Sequence, residues 1–250
     1  MATPLPYRTV LVTGASRGIG AAICARLTVM GLTVYGVARS REALAGVVEA
    51  FGVVPVVADV RDTDAIIAGL AGAEIDVLVN NAGMVATVKP LYEQSANEIA
   101  ETIAVNLTAP MLLMRALLSG MVARRRGHVV NITSTAARGV LAGSSAYGGA
   151  KAGLAHACRS LRYDLAGSNV RVTDLAPGRV ETEIYLRAFG GDRERLNETM
   201  YGHVRALQPQ DIAETIAAVL ALPQHVDVTE IEISPTDQAV GGHVFKSVEG

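Results

Sequence analysis

The chain has 250 residues, of which 50% are hydrophobic and 18% are charged, and its formal net charge is −2. This length accommodates one large α/β domain or two small ones, and the composition supplies a sizeable core. The balanced charge excludes the strong basic field that attracts nucleic acid. Aromatic residues make up only 4%, so the core must be built mainly from Ala, Val, Leu and Ile.

Cysteine usage and the N-terminus narrow the class of protein further. Cys24 and Cys158 lie inside apolar helical patterns, which favours buried thiols over a disulfide or a metal site. The N-terminus shows no charged region followed by a long apolar core, and no apolar run reaches the length of a membrane span. We therefore expect a cytoplasmic protein with no metal ion and no membrane partner.

Apolar, β-branched runs alternate with helical patterns along most of the chain. Continuous apolar strands that alternate with helices predict a parallel sheet covered on both faces. We expect a single domain over 1–250, with a Rossmann-like, doubly wound α/β fold of about seven strands. The predicted strands are 8–13, 33–38, 53–58, 75–79, 128–133, 170–175 and 228–233, and the predicted helices are 21–30, 41–51, 62–70, 95–122, 147–166 and 209–222.

Two places depart from simple alternation. Pro110 falls inside the long helical pattern 95–122 and could interrupt or restart that helix. Residues 181–207 form an insertion rich in Arg, Glu and Gly after the sixth strand. Because α/β folds bind ligands beyond the carboxyl ends of their strands, we interpret this insertion as a helical substrate lid. The alternative is a solvated helix pair without a role in binding.

The turn after the first predicted strand reads TGASRGIG over residues 13–20. Gly14, Gly18 and Gly20 let the backbone turn tightly and approach a ligand closely. The helix that follows presents unpaired N–H groups to a pyrophosphate. The spacing differs from the usual G-x-G-x-x-G, but its place between strand and helix favours a dinucleotide site.

The end of the second strand indicates which dinucleotide binds. An acidic residue there would hold a ribose 2′-hydroxyl, but the sequence continues Ala38-Arg39-Ser40-Arg41, with no carboxylate before Glu42. Arg39, together with Arg17 from the Gly-rich turn, could instead hold a 2′-phosphate through charge-assisted hydrogen bonds. The sequence therefore predicts NADP(H) in preference to NAD(H).

A candidate catalytic set lies between residues 134 and 151. Ser134 ends an apolar strand, and Tyr147 and Lys151 follow at the start of a predicted helix. Four residues make about one helical turn, so the phenol and the ammonium share a face. An ammonium beside a phenol should lower the phenol's pKa below its usual value of about 10. Such a phenol could exchange protons with a substrate near neutral pH.

Five motifs occur in a fixed order: TGASRGIG at 13–20, Asp59-Val60, Asn80-Asn81-Ala82-Gly83, Ser134 with Tyr147 and Lys151, and Pro177-Gly178 with Thr182. With them the chain resembles the short-chain dehydrogenase/reductase superfamily, from residue 8 to about residue 237. The resemblance implies that Tyr147 is the general acid and base, and that Lys151 lowers its pKa and binds the nicotinamide ribose. It implies that Ser134 hydrogen-bonds the reacting oxygen and that Asn106 holds a water in a proton relay.

The resemblance also implies the cofactor-binding residues. Asp59 would bind the adenine amino group, and Asn80 and Gly83 would flank the adenosine side and stabilise the sheet. Pro177, Gly178, Val180 and Thr182 would form the turn under the nicotinamide carboxamide. The implied cofactor set is Gly14, Ser16, Arg17, Gly18, Ile19, Gly20, Arg39, Asp59, Val60, Asn80, Ala82, Gly83, Tyr147, Lys151, Pro177, Gly178, Val180 and Thr182.

Within the superfamily, residues 221–238 resemble the branch of NADP-dependent 3-hydroxy acid (serine-type) and clavulanate-type dehydrogenases. This implies a secondary alcohol, such as a 3-hydroxy acid, as the small-molecule substrate. A carboxylate would need a cation, for which Arg138, Arg179 and Arg187 are candidates. The alternatives are a reductase of neutral ketones or aldehydes and, from another class, a non-catalytic NADP(H)-sensing module.

The resemblance further implies a homo-oligomer, a tetramer or a dimer. The long helices 95–122 and 147–166 match those that pack across the family's subunit interfaces. The tail, residues 240–250, could reach a neighbouring subunit or be disordered.

Overall fold

The structure is a computed structural model that describes residues 5–201 and 205–238. Its strands are β1 (Thr9–Thr13), β2 (Thr33–Ala38), β3 (Val54–Val57), β4 (Val77–Asn80), β5 (Gly127–Ile132), β6 (Val170–Pro177) and β7 (Glu230–Ile233). They form one parallel sheet of seven strands in the order β3-β2-β1-β4-β5-β6-β7. The strand order reverses between β1 and β4, and a crevice opens there at the carboxyl ends.

Helices cover both faces of this sheet. They are α1 (Gly18–Val29), α2 (Arg41–Phe51), α3 (Thr63–Gly69), α4 (Ala96–Ile103), α5 (Ala109–Ala123), α6 (Ser145–Asp164), α7 (Arg193–Met200) and α8 (Pro209–Leu220). Val10 and Val12 of β1 lie in the core shared with α1 and α8, whereas Leu11 lies in the core shared with α5 and α6. Successive strand residues point to opposite faces, so the predicted doubly wound fold is confirmed.

The long helical pattern 95–122 is one continuous helix with a wide turn inside it. Residues Ala104–Thr108 form a π-helical turn between α4 and α5. Pro110 follows in the first turn of α5, where it lacks the N–H that a regular helix would bond to the carbonyl of residue 106. The wide turn absorbs this mismatch, so Pro110 does not interrupt the helix.

This helix corrects the expectation that no segment reaches the length of a membrane span. Residues Ala96–Ala123 form a helix of 28 residues that contains an 18-residue window with a mean hydropathy of 1.4, so the helix is long and apolar enough to span a membrane by length and composition alone. Core helices of soluble proteins pass the same test, and Leu113, Met114 and Met121 are buried against the sheet. Both cysteines are buried free thiols, as the sequence predicts.

The insertion between β6 and α8 is tied down at both ends. The Tyr201 hydroxyl donates to the Thr182 carbonyl at 2.9 Å and accepts from the Thr182 N–H at 3.3 Å. Val180 pairs with Leu207 in an isolated β-bridge, and Leu196 of α7 is buried. Residues 202–204 and the tail 240–250 lie outside the described residues, so the prediction about the tail stays a prediction.

Candidate active site

One large cavity lies beyond the carboxyl ends of the strands, where the sheet order reverses. Its volume is about 1440 Å³, enough for a dinucleotide with a small substrate beside it. The Gly-rich turn, the ends of β2 to β6 and the insertion wall it. It brings together Gly14, Ser16, Arg17, Gly18, Ile19, Gly20, Arg39, Asp59, Val60, Ala82, Gly83, Ser134, Tyr147, Lys151, Pro177, Gly178, Val180 and Thr182.

The Gly-rich turn has the geometry of an anion cradle. Gly14 and Gly18 have positive φ values of 66° and 53°, which side chains rarely tolerate. A Cβ at Gly20 would lie 2.0 Å from the Gly14 carbonyl oxygen, so only glycine fits there. α1 begins without a side-chain cap at Arg17 and without an acidic residue in its first turn. Its first N–H groups can therefore bind a phosphate.

The end of the cavity at the ends of β2 and β3 carries cations and one carboxylate. Arg39 is exposed at the cavity edge, next to Asp59 and Arg61. The Arg61 guanidinium donates two hydrogen bonds of 2.8 Å to the Asp59 carboxylate, and these lower the pKa of Asp59 to about 2. Asp59 is thus held as a rigid, ionised acceptor. Sequence analysis missed Arg61, although its place two residues after Asp59 was a usable signal.

Arg17 does not point freely into the cavity. Its guanidinium donates to the Glu183 carboxylate at 2.7 Å, and Arg193 of α7 donates to the other oxygen of the same carboxylate. Glu183 belongs to the insertion, so this pair joins the Gly-rich turn to the insertion across the cavity edge. The Arg17 side chain is 70% exposed, so solvent screens the interaction strongly. A cofactor phosphate would have to compete with Glu183 for Arg17.

Ser134, Tyr147 and Lys151 converge at the other end of the cavity. Ser134 follows β5 directly, and its side chain accepts a hydrogen bond of 3.1 Å from the Ala136 N–H. Tyr147 lies in the first turn of α6 and is buried. The Lys151 ammonium lies 5.9 Å from the centre of the Tyr147 ring and donates to the Ile132 carbonyl at 2.8 Å. The predicted shared face of phenol and ammonium is therefore present.

The ionisation of this pair differs from the sequence prediction. Burial raises the pKa of Tyr147 well above its usual value, the neighbouring Tyr185 raises it further, and the Ser134 side chain only partly opposes this. Burial lowers the pKa of Lys151 to about 8, although the Asp174 carboxylate acts in the opposite direction. The prediction of a lowered tyrosine pKa is wrong for this structure, because loss of hydration on burial outweighs the Ser134 hydrogen bond that lowers the pKa.

Two predicted site residues lie behind the cavity wall. Asn80 is buried in β4 and donates to the Asn131 side chain at 2.7 Å, so it joins two strands and does not line the cavity. Asn106 is fully buried in the π-helical turn. Its amide donates to the carbonyls of Met84 at 2.8 Å and Thr102 at 2.9 Å, and its side-chain oxygen accepts from the Met84 N–H at 3.3 Å.

The three candidate cations for a carboxylate substrate lie in different places. Arg138 is not among the residues that line the cavity, and its guanidinium bonds Asp174 at 3.1 Å and two glutamates of β7. Arg187 lines the cavity but is paired with Glu101 of α4 at 3.0 Å. Arg179 lines the cavity near Tyr185. Sequence analysis missed Tyr185, because nothing in the irregular segment around it predicts its direction.

The cavity contains a Gly-rich cradle and a set of Ser, Tyr and Lys side chains. Sequence comparison shows which family shares these features. Residues 8–189 match the family model for short chain dehydrogenases. The chain belongs to the short-chain dehydrogenase family. An uncharacterised short-chain dehydrogenase/reductase of Sinorhizobium fredii is 41% identical, with 94% of each chain covered.

Two further relatives specify the branch of short-chain dehydrogenases. The NADP-dependent 3-hydroxy acid dehydrogenase of Salmonella typhimurium is 39% identical, with 93% of this chain and 97% of the relative covered. The closed form of a serine dehydrogenase complexed with NADP+ superimposes with a TM-score of 0.90 at 36% identity, covering 96% and 99% of the two chains. The cofactor of this NADP-dependent oxidoreductase is NADP(H), in agreement with the prediction, and Arg39 and the Gly-rich cradle fit a phosphorylated dinucleotide.

Proposed function

We propose that this short-chain dehydrogenase interconverts a secondary alcohol, specifically a 3-hydroxy acid, and its carbonyl form. The observation that carries the proposal is that Ser134, Tyr147 and Lys151 line the same cavity as the Gly-rich cradle. The 3-hydroxy acid is inferred from the activities of the relatives, a 3-hydroxy acid dehydrogenase and a serine dehydrogenase. NADP(H), when bound, supplies or accepts the hydride.

Tyr147 provides the proton in this proposal. In reduction its phenol donates to the substrate oxygen, and in oxidation its phenolate accepts the proton back. The raised pKa keeps the phenol protonated at neutral pH, so the residue is available as a donor. Ser134 donates a fixed hydrogen bond where negative charge develops on the same oxygen. Lys151, fixed on the Ile132 carbonyl, places positive charge beside the phenol and can bind a ribose hydroxyl.

Asn106 supports this arrangement from behind the wall. The resemblance assigns it to a proton relay through a water. Its side-chain amide is already engaged by Met84 and Thr102. We therefore propose that the Asn106 side chain mainly fixes the Gly83–Met84 turn beneath Lys151, since a Cβ at Gly83 would lie 3.0 Å from the Asn106 oxygen and 3.6 Å from the Lys151 ammonium.

The proposal is tested with Tyr147→Phe, which removes one oxygen atom and keeps the ring. We expect NADPH oxidation with a carbonyl panel to fall by about 10²–10⁴-fold, because general acid catalysis contributes that much. Binding of NADPH, followed by its fluorescence, should stay within about 2-fold of the wild-type value. Tyr163→Phe, at a position 87% exposed, is the matched control and should leave both quantities unchanged.

A second candidate is a reductase of neutral ketones or aldehydes, which the apolar side chains of Val85, Leu141 and Ile184 along the cavity favour. A panel that pairs 3-hydroxy acids with neutral alcohols of the same length separates the two. Tight NADPH binding without turnover on either series would instead indicate a sensing module and would reject the enzymatic proposal.

We also propose a homo-oligomer, a tetramer or dimer, with insertion 181–207 acting as a lid. Met111 and Leu112 of α5 are 47% and 40% exposed, which leaves apolar surface that a second copy could cover. Light scattering tests this assembly, and a monomer at micromolar concentration would reject it.

A further inference from the structure

Part of the cavity wall consists of residues from the insertion and from the turn that precedes it. Ile184, Tyr185, Leu186 and Arg187 all line it, together with Arg179 from the turn after β6. Two of these five are apolar and two are arginines. Tyr185 adds a phenol, so this part of the wall contains hydrogen-bond donors as well as apolar surface.

Backbone hydrogen bonds hold Tyr185 in this wall. The Leu186 N–H donates to the Glu183 carbonyl at 2.9 Å, and the Phe189 N–H donates to the Tyr185 carbonyl at 3.1 Å. The Tyr201 hydroxyl fixes the start of the segment at Thr182. The side chain of Tyr185 therefore extends from a segment of consecutive turns that is anchored at Thr182. The Tyr185 residue is partly buried.

Tyr185 interacts electrostatically with the Tyr147 phenol and with the Arg179 guanidinium. It is close enough to Tyr147 for the charge of one phenol to raise the pKa of the other. The Arg179 guanidinium acts to lower the pKa of Tyr185, although burial raises that pKa overall. At neutral pH the wall thus presents a protonated phenol, which is a hydrogen-bond donor, with a positive charge beside it.

In a 3-hydroxy acid the carboxylate and the hydroxyl group lie close together, so both must bind in the same part of the cavity. Two carbon–carbon bonds of about 1.5 Å separate its carboxyl carbon from the carbon that carries the hydroxyl, so the carboxylate must bind directly beside the reacting oxygen. Arg138 lies outside the cavity lining, and the Arg187 side chain is exposed at the edge of the cavity. Tyr185 and Arg179 both line the cavity, and their side chains interact electrostatically with each other.

We infer that the Tyr185 hydroxyl and the Arg179 guanidinium bind the carboxylate of a 3-hydroxy or 3-oxo acid whose C3 oxygen lies against Ser134 and Tyr147. The inference rests on the proposed function and assigns its substrate class to residues of this cavity. The carboxylate would accept one hydrogen bond from the phenol and at least one from the guanidinium. Both bonds are charge-assisted, because the acceptor is ionised.

The test is Tyr185→Phe, assayed by NADP+ reduction with 3-hydroxybutanoate and with 2-butanol. We expect kcat/KM for the acid to fall about 10-fold or more, mainly through KM, because the lost hydrogen bond is to a charged group. Because removal of the Tyr185 hydroxyl alters the surroundings of Tyr147 for both substrates alike, the decisive quantity is the ratio of kcat/KM for the acid to kcat/KM for 2-butanol, which should fall at least about 5-fold. Tyr92→Phe, at a position 86% exposed and outside the cavity, is the matched control.

A second readout does not depend on turnover of the acid. Butanoate should inhibit 2-butanol oxidation competitively in the wild-type enzyme, and its inhibition constant should rise about 10-fold in Tyr185→Phe and in Arg179→Gln. Equal losses for acid and alcohol, or unchanged inhibition by butanoate, would overturn the inference alone. Absence of 3-hydroxybutanoate oxidation by the wild-type enzyme would instead overturn the proposed 3-hydroxy acid substrate.

Discussion

Cofactor selectivity should depend more on Arg39 than on Arg17, although the sequence pattern treats the two as a pair. Arg39 is exposed at the cavity edge, whereas Arg17 is already bonded to Glu183 at 2.7 Å. To hold a 2′-phosphate, Arg17 must first leave this carboxylate. We therefore consider three single substitutions: Arg39→Ala, Arg17→Ala and Glu183→Gln.

The magnitudes follow from these contacts. A hydrogen bond to a charged group contributes about 1.5–3 kcal/mol, and the exposure of Arg39 favours the lower end, so Arg39→Ala should weaken NADPH binding about 10-fold. An exposed ion pair contributes about 0.2–1 kcal/mol. Because Arg17 must break its ion pair with Glu183 to bind the phosphate, Arg17→Ala should weaken NADPH binding only about 3-fold. Glu183→Gln frees Arg17 and should tighten NADPH binding by about 1.5–5-fold.

Fluorescence titration with NADPH and NADH measures these effects directly. The three substitutions should leave NADH binding within about 2-fold, because NADH carries no 2′-phosphate. Raising the salt concentration should shrink all three NADPH effects, since screening weakens exposed charges. Arg115→Ala, on α5 and outside the cavity, serves as a control for the loss of one positive charge.

Two results would refute the reasoning. If Arg39→Ala weakened NADPH and NADH equally, Arg39 would not bind the phosphate. If Glu183→Gln weakened NADPH binding, Glu183 would orient Arg17 for the cofactor instead of competing with it.

Three further expectations concern pH, stability and the Gly-rich cradle. Because burial keeps Tyr147 protonated, kcat/KM for alcohol oxidation should rise with pH from 6 to 8, whereas reduction should not; a flat oxidation profile contradicts this. The pKa of Lys151 is about 8, below its unfolded value, so the unfolded chain binds more protons between about pH 8 and 10.5 and stability rises with pH there. Lys151→Met should flatten that rise in urea unfolding and stabilise the protein at pH 7 by on the order of 1–3 kcal/mol, while activity is lost. Gly20→Ala should abolish NADPH binding, since its Cβ would lie 2.0 Å from the Gly14 oxygen. The matched control is Gly46→Ala, in α2 with open space around it. This substitution should instead stabilise the folded protein against thermal unfolding by about 0.5–1 kcal/mol.

The parts of the site that follow from local rules could be predicted from the sequence. The glycine spacing predicted a tight backbone turn, and the contact between Gly20 and Gly14 confirms that turn. The spacing of Tyr147 and Lys151 predicted a shared helix face, which the 5.9 Å separation confirms. Both rest on backbone geometry within a few residues.

Interactions between distant residues could not be predicted in this way. Glu183 reaches Arg17 across 166 positions of sequence, and no pattern in an irregular segment announces such a pair. The position of Tyr185 could not be predicted for the same reason, because the direction of its side chain depends on turns that have no periodic sequence pattern. The predicted direction of the Tyr147 pKa shift was also wrong. The pKa depends mainly on how deeply the packing of α6 buries the phenol, which the neighbouring lysine in the sequence does not reveal.

Asn106 shows how the long helix and the active site constrain each other. A regular α-helix through residues 104–108 would be expected from propensity, yet the chain adopts the rarer π-helical turn there. In that turn the Asn106 side chain reaches Met84 and also bonds Thr102 one turn before it. Met84 follows Gly83, whose α-carbon faces the Lys151 ammonium. The wide turn therefore places the Asn106 side chain where it bonds the backbone of Met84, next to Gly83, and the same turn admits Pro110 without breaking the helix.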